Sequence, residues 1–163
     1  MTDSPAPVCV SRRIEVPAEK LFDLLAHPAN HSLIDGSGMV RESLDGVVIS
    51  GVGDVFTMKM HNDEMGDYEM SNHVVEYEPS RRISWEPVMT AASREEDQAD
   101  LGDRSEHCWA FQLTPLGSAA TLVTESYDCS KAPDWLRQAV KGGTRWLASM
   151  TITLEKLDAL SRG

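Results

Sequence analysis

The first part of the chain carries a strand pattern followed by two helical patterns. Over residues 8–16, apolar and polar positions alternate with the period of a half-buried strand. Pro17 then opens a helical segment in which leucine and phenylalanine form one apolar stripe, and Pro28 ends that segment. A second short helix is predicted over Ala29–Ile34, closed by a glycine-rich turn.

The middle of the chain follows the two-residue period of strands. Turns rich in Gly, Pro, Asn or Asp separate the apolar stretches. The predicted strands are Met39–Ile49, Val55–His61, Asp67–Tyr77, Arg82–Val88, Ser105–Leu113 and Ala120–Asp128. Because short turns join consecutive strands, the strands must be antiparallel, and such a sheet buries one face against another element.

The C-terminal segment carries the longest helical pattern. Apolar residues recur at spacings of three and four from Leu136 to Leu157, and Ser130 suits the N-cap. Gly142 and Gly143 interrupt this pattern, and each costs about 1 kcal/mol relative to alanine inside a helix. The pair therefore either bends the helix or lets another backbone or a ligand come close. This helix is the partner that we expect to cover the sheet.

Three local sequences, taken with this order of elements, resemble one superfamily. They are Arg13–Phe22, Val74–Trp85 and Thr121–Asp128. They are similar to the START, polyketide-cyclase and birch-pollen-allergen superfamily, also called SRPBCC proteins. The resemblance implies an α+β helix-grip fold, in which one strand and two helices precede about six antiparallel strands, and the curved sheet wraps around a long C-terminal helix. We expect one such domain over residues 8–160, after a flexible segment of residues 1–7.

The implied fold holds a mostly apolar pocket between the sheet and the long helix. If each hairpin turn is symmetric, it fixes which residues pair across neighbouring strands, and paired side chains point to the same face of the sheet. The predicted pairs are Met60 with Tyr68, Met58 with Met70, Phe56 with Asn72, Leu113 with Thr121, Phe111 with Val123, Trp109 with Glu125, and His107 with Tyr127. The predicted ligand-binding residues are Phe56, Met58, Met60, Tyr68, Met70, Asn72, Trp85, His107, Trp109, Phe111, Glu125, Tyr127, Trp146 and Met150.

His107 and Glu125 are the candidates for acid–base catalysis. A carboxyl group in an apolar pocket keeps its proton into the neutral range, and a neighbouring imidazole can shuttle that proton. The alternative is structural. In that interpretation the two side chains satisfy each other or reach water at the end of the sheet, and the aromatic and methionine residues are ordinary core.

The charge composition argues against some classes of binding partner. The chain has 163 residues with 15 Lys and Arg against 26 Asp and Glu, a net charge of −11. This balance argues against nucleic acid and anionic membranes, because both require a basic surface. No run of 18 apolar residues predicts a membrane-spanning helix, and the N-terminus lacks a signal-peptide pattern. We expect a cytoplasmic protein without stable membrane insertion, and both a monomer and a homodimer remain open.

The remaining motifs predict no cofactor and no metal site. Cys9, Cys108 and Cys129 are odd in number and lack CxxC spacing, so we expect buried free thiols. Motifs for nucleotides, flavins and serine hydrolases are missing from the sequence. The segment Arg94–Glu106 holds six acidic residues and two arginines. It is predicted to be an inserted solvated loop, with a lid over the pocket as the alternative.

Three functions remain open at this stage. The first is binding of an apolar small molecule, lipid-like or polyketide-like, in the pocket. The second is an aromatase or cyclase acting on a polyketide intermediate, and the third is a co-chaperone type of protein-interaction module. The small number of inward polar groups favours binding, and the acidic chain favours a neutral or apolar ligand over an anionic one.

Overall fold

A computed structural model describes residues 6–90 and 106–163 of the chain. The strands in these ranges are β1 (Val8–Ile14), β2 (Val40–Ser43), β3 (Val55–Asn62), β4 (Gly66–Glu78), β5 (Arg82–Met89), β6 (Cys108–Pro115) and β7 (Thr121–Asp128). The helices are α1 (Ala18–Ala26), α2 (His31–Ile34), α3 (Asp134–Ala139) and α4 (Leu147–Arg162), with 3-10 turns at Pro28–Asn30 and Lys141–Trp146. Most of the predicted segment 1–7 and of the acidic segment Arg94–Glu106 lies outside the described residues.

The strands form one curved antiparallel sheet in the order β1-β7-β6-β5-β4-β3-β2. Helix α4 lies against β1, β7 and α2. The side chains of Leu21 and Leu25 on α1 and of Leu154 and Leu157 on α4 are almost completely buried. Burial of these apolar stripes is the main force that holds the helices on the sheet. The predicted helix-grip fold is confirmed.

The register predicted for the β3–β4 hairpin is confirmed, and the one predicted for β6 and β7 is wrong by two residues. Met60, Met58 and Phe56 lie opposite Tyr68, Met70 and Asn72 as expected. In the second hairpin the observed pairs are Leu113 with Val123, Phe111 with Glu125 and Trp109 with Tyr127, and His107 precedes the strand. The hairpin is centred on Ser118, one residue later than the symmetric turn near Gly117 that the prediction assumed, since the amide of Leu116 donates to the carbonyl of Ala120. A shift of two keeps every side chain on its predicted face.

Strand β2 is much shorter than the predicted Met39–Ile49. The strand ends at Ser43. Two residues later, the side chain of Asp45 bonds to β3 in place of a backbone carbonyl group. The Asp45 Oδ2 atom accepts a hydrogen bond of 2.9 Å from the amide of Thr57. Gly46 then has a φ of 65°, a left-handed conformation that a continuing strand does not allow.

The predicted continuous C-terminal helix is broken at the two glycines. Gly142 and Gly143 have φ values of 66° and 98°, so α3 and α4 are separate helices. A Cβ atom on Gly143 would lie 3.0 Å from Val8 Cγ2 and 3.1 Å from Tyr127 Cδ1. The pair therefore breaks the helix and permits a close approach. The predicted N-cap at Ser130 is also wrong, because α3 begins at Asp134.

The prediction that the cysteines are free thiols is correct, and the prediction that they are buried is correct only in part. All three cysteines are free, but only Cys129 is buried, while Cys108 is half-buried and Cys9 is exposed. Cys9 lies on the outer face of β1 with Ser11 and Arg13, because side chains alternate along a strand. No helix within residues 6–90 and 106–163 is both long and apolar enough to cross a bilayer.

Candidate ligand-binding cavity

A cavity of about 270 Å³ lies between the inner face of the sheet and the helices α2, α3 and α4. Every residue that the sequence predicts to bind a ligand lines it. These residues are Phe56, Met58, Met60, Tyr68, Met70, Asn72, Trp85, His107, Trp109, Phe111, Glu125, Tyr127, Trp146 and Met150. For the residues that lie on β3 to β7, the two-residue period explains this agreement, since it turns alternate side chains toward one face. Trp146 and Met150 reach the cavity from the helical side. Contact of these residues with a ligand stays a prediction.

The rest of the wall comes from residues that sequence reasoning missed. They are His31, Ile34, Asp35, Ser37, Met39, Val40, Pro87, Leu136, Val140, Ser149 and Thr153. Most lie on helices or in the loop after α2, and only tertiary packing decides which of their faces meets the sheet. One signal was available, because His31 and Asp35 stand four residues apart and therefore share a helix face.

Glu125 places a carboxyl group inside this apolar wall. Its side chain points inward from β7, opposite Phe111, and the residue is 5% exposed. The Oε2 atom has no hydrogen-bond partner among the described residues. Burial, together with the negative charge of Asp35, raises the pKa of Glu125 to about 8. Glu125 is therefore a neutral carboxylic acid at pH 7.

The second catalytic candidate, His107, pairs with Tyr127 instead of Glu125. The Nδ1 atom of His107 lies 2.7 Å from the hydroxyl oxygen of Tyr127. Burial lowers the pKa of His107 to about 4 and raises the pKa of Tyr127, so both groups are neutral. The structural alternative in which His107 and Glu125 satisfy each other is therefore wrong.

Three aromatic rings pack against one another in the cavity wall. The ring of Trp109 lies 4.6 Å from that of Tyr127 and 6.0 Å from that of Trp146, measured between centroids. Trp146 is the last residue of the 3-10 turn before α4, and its position follows from the break at the two glycines. The indole Nε1 of Trp146 is buried, and the hydrogen-bonding interaction of the Trp146 side chain with Tyr127 lowers the pKa of Tyr127 against the larger opposing effect of burial.

A second aromatic cluster surrounds His31. The imidazole stacks on Trp85 at 5.1 Å and meets the edge of Phe56 at 5.4 Å. Its Nε2 atom lies 2.8 Å from the carbonyl oxygen of Leu25. Burial lowers the pKa of His31, so the ring is neutral, and Nε2 carries the proton that it donates to this carbonyl.

Two further polar residues of the cavity wall, Asp35 and Asn72, are hydrogen-bonded within the protein. The carboxylate of Asp35 accepts hydrogen bonds from the hydroxyl of Ser37 at 2.8 Å and from the amide of Val40 at 3.1 Å. The Nδ2 atom of Asn72 donates to the carbonyl oxygens of Phe56 and Met70, at 3.3 and 3.4 Å. Among the described residues, no group of three or more His, Cys, Asp or Glu side chains is arranged to hold a metal ion.

Comparison with curated sequences finds relatives without an assigned activity. The uncharacterized protein Rv0088 of Mycobacterium tuberculosis is 29% identical over 96% of this chain. The chain spans 66% of the length of that relative. The corresponding uncharacterized protein MT0096 of a second strain of the same species gives the same identity and coverage. No family model matches the chain.

Solved structures share the fold at low sequence identity. Protein CV1439 from Chromobacterium violaceum is 18% identical, with a TM-score of 0.67 over 98% of this chain and 99% of that one. Protein NE0264 from Nitrosomonas europaea is 14% identical, with a TM-score of 0.69 over 99% and 97%. A norcoclaurine synthase point mutant from Thalictrum, solved with a transition-state analogue, is 14% identical, with a TM-score of 0.61 over 96% and 94%. At these identities the likeness shows a common fold.

Proposed function

We propose that this protein, which has the helix-grip fold of the SRPBCC and birch-pollen-allergen proteins, binds a neutral, mainly apolar small molecule in its cavity. The observation that carries the proposal is the cavity itself, with a volume of about 270 Å³ inside a wall of aromatic and methionine side chains. Ligand pockets commonly measure about 300–1,000 Å³. The volume therefore favours a compact molecule of a few rings over a lipid with two acyl chains.

The composition of the wall suits such a ligand. Empty space in an apolar core costs stability, because the atoms around it lose packing contacts that a bound molecule restores. Flat aromatic rings offer stacking surfaces, and the unbranched side chains of Met58, Met60, Met70 and Met150 adapt to an irregular outline. The histidines of the wall are neutral, so they supply no positive charge that would attract an anionic ligand.

Native mass spectrometry tests the proposal on protein purified from its own host. We expect a retained small molecule, identified after denaturation, and enhanced fluorescence of the apolar probe N-phenyl-1-naphthylamine with the ligand-free protein. Met58→Trp fills the cavity, because Met58 is 2% exposed in its wall, whereas Met65→Trp changes a residue that is 44% exposed. Loss of both signals in the first variant only supports the proposal. Equal binding by both variants contradicts it, provided that thermal unfolding shows both to be folded.

A second candidate function is acid–base catalysis on a ligand in the same cavity. The observation in its favour is the protonated carboxyl of Glu125, whose Oε2 atom has no hydrogen-bond partner in the described part of the chain. One structural relative, norcoclaurine synthase, is an enzyme by name. Aldol-type cyclisation and dehydration of a polyketide intermediate need proton transfers of this kind. Glu125→Gln is then expected to abolish turnover while leaving the fold intact, and retained turnover would remove Glu125 from the mechanism.

The third candidate, a co-chaperone type of interaction module, has less support. A module that uses its outer surface has no need of an internal cavity, and we expect its core to be collapsed. The open volume between sheet and helices therefore favours the two functions that use a ligand.

A further inference from the structure

Methionines of the cavity wall are grouped on two neighbouring strands. Met58 and Met60 are alternate residues of β3, and Met70 lies directly opposite Met58 on β4. All three line the cavity, and residues at this spacing share one face of the sheet. Met58 is 2% exposed, whereas Met60 and Met70 are only partly buried, so part of each of these two residues stays accessible. We refer to Met58, Met60 and Met70 as the methionine side of the wall.

Two tryptophans hold the accessible aromatic surface of the wall. Trp109 lies on β6, and Trp146 packs against it from the 3-10 turn before α4, with 6.0 Å between the ring centroids. Among the described Phe, Tyr and Trp residues that line the cavity, these two are partly buried and the others are buried. The buried ones are Phe56, Tyr68, Trp85, Phe111 and Tyr127. We refer to Trp109 and Trp146 as the aromatic side.

The strand register separates the two sides. Trp109 pairs with Trp85 on β5, whereas Met70 pairs with Met89, four residues further along that strand. Two spacings of about 4.8 Å separate β6 from β4, and four residues of a strand span about 13 Å. Trp109 and Met70 are consequently about 16 Å apart when measured along the sheet. A single ring is much shorter than this separation, so only an elongated ligand contacts both sides.

The two sides favour different parts of such a ligand. Tryptophan offers a rigid flat face, on which a planar ring packs in an offset or edge-to-face arrangement. Methionine has an unbranched side chain with a polarizable thioether, and it adapts to a flexible hydrocarbon chain. No Lys or Arg lines the cavity within the described part of the chain, so the wall offers no cation for a charged chain end.

We infer that the ligand is one planar ring system with a short unbranched aliphatic chain, and that its ring packs on Trp109 and Trp146 while its chain lies on Met60 and Met70. The methionine side then determines which chain lengths the cavity accepts. This inference rests on the proposed function, because it names the class of neutral, mainly apolar molecule that the cavity binds.

A series of 4-alkylphenols tests the inference, because these probes are neutral at pH 7 and share one ring. Displacement of N-phenyl-1-naphthylamine from the ligand-free protein gives their dissociation constants. We expect affinity to rise about threefold to fourfold for each methylene added between 4-ethylphenol and 4-hexylphenol, because each methylene leaves water. Equal affinity across the series would overturn the inference and leave the proposed function standing. If neither N-phenyl-1-naphthylamine nor any alkylphenol binds, both are overturned.

Variants locate the chain. Met70→Ala removes side-chain atoms that the chain contacts, so affinity for 4-hexylphenol is expected to fall about fivefold while affinity for 4-ethylphenol stays unchanged. Met60→Ala tests the same expectation independently if Met70→Ala does not fold. Met65→Ala is the matched control, since Met65 is 44% exposed and outside the cavity wall, and it is expected to change neither affinity. An equal loss for both probes in Met70→Ala would overturn the inference.

A further variant locates the ring. Trp146→Leu removes the aromatic face, so the affinities for 4-ethylphenol and 4-hexylphenol are both expected to fall, by the same factor of about five. Trp109→Leu tests the same expectation if Trp146→Leu does not fold. A loss confined to 4-hexylphenol would show that the chain, and not the ring, lies on the aromatic side, and the inference would be overturned.

NMR of the methionine methyl groups tests the placement without a substitution. In protein with ¹³C-labelled methionine methyl groups, 4-hexylphenol is expected to shift the signals of Met60 and Met70, and 4-ethylphenol is expected to leave them in place. Both probes are expected to shift the indole N–H signals of Trp109 and Trp146. Equal shifts of the Met60 and Met70 signals by the two probes would show that the ring reaches the methionine side, which overturns the inference.

Discussion

The hydroxyl of Tyr127 and the Nδ1 atom of His107 lie 2.7 Å apart and join β7 to the segment that precedes β6. The two rings meet edge to face, with 5.6 Å between their centroids. Because burial keeps both groups neutral, this is a hydrogen bond between uncharged partners. Both residues line the cavity together with Trp109 and Trp146.

Tyr127→Phe is expected to lower the free energy of unfolding by about 1–3 kcal/mol, because it leaves a buried ring nitrogen of His107 without a partner. Urea denaturation at pH 7 measures the change. Tyr77→Phe is the matched control: Tyr77 packs against Phe22 at 5.3 Å, but its hydroxyl has no hydrogen bond to a described residue. A comparable loss in both variants would show that the bond to His107 contributes little.

Gly143→Ala is expected to destabilise the protein more than Gly142→Ala. Both glycines have positive φ, but only a Cβ on Gly143 meets neighbours, at 3.0 Å from Val8 and 3.1 Å from Tyr127. We expect a cost of about 1 kcal/mol at position 142 and about 2–4 kcal/mol at position 143. Thermal unfolding of the two variants gives the comparison. Equal effects would mean that the positive φ alone determines the cost, and that the contacts of the added Cβ with Val8 and Tyr127 do not contribute.

Asp158→Asn tests the ion pair that fastens α4 to β1. The Oδ2 atom of Asp158 lies 2.8 Å from Nε of Arg12, and the Asp158 side chain is 7% exposed. The variant also weakens the pair of Asp158 Oδ1 with Arg162 Nε, at 2.8 Å on the same helix. The combined loss is expected to cost about 1–2 kcal/mol in urea denaturation, since both arginines are partly exposed and regain water. The control is Glu15→Gln, because the pair of Glu15 with Arg13 is 60% exposed on both sides. There we expect a change within about 0.5 kcal/mol.

The inner face of the sheet was predictable because strand alternation depends only on the period of the sequence. The β6–β7 register was wrong by two residues, yet Trp109, Phe111 and Glu125 line the cavity as predicted. A shift by an even number of residues preserves the face, whereas a shift by one would have turned them all outward. The residue on which the hairpin turn is centred sets the register, and it leaves no periodic signal in the sequence.

The helical side of the cavity was not predictable in the same way. His31 and Val140 line it because α2 and the broken C-terminal helix dock on the sheet at particular angles. A bend or a close approach was expected from Gly142 and Gly143, and the helix breaks there, but the resulting position of Trp146 depends on contacts with β7. Hydrogen-bond partners could not be predicted either, since the pairing of His107 with Tyr127 depends on the backbone geometry of residues 106 and 107, just before β6.

The buried carboxyl of Glu125 makes the stability of the ligand-free protein depend on pH with a defined sign. The pKa of Glu125 is about 8 in the folded protein and near the ordinary value of 4.5 in the unfolded chain. Between these values the folded protein binds more protons than the unfolded chain, so the free energy of unfolding falls as pH rises. This contribution is fully present below about pH 4.5, and it is lost as the pH increases to about 8.

Urea denaturation of the original protein and of Glu125→Gln at pH 5, 6, 7 and 8 isolates this contribution. The glutamine cannot ionise, so the difference in unfolding free energy between the two proteins is expected to shift steadily toward the variant as the pH rises. Above pH 8 both folded and unfolded states carry the charge, and the difference is expected to level off. Parallel curves over the whole range would show that Glu125 titrates normally, and the carboxyl would then be an acceptor in the cavity and not a donor.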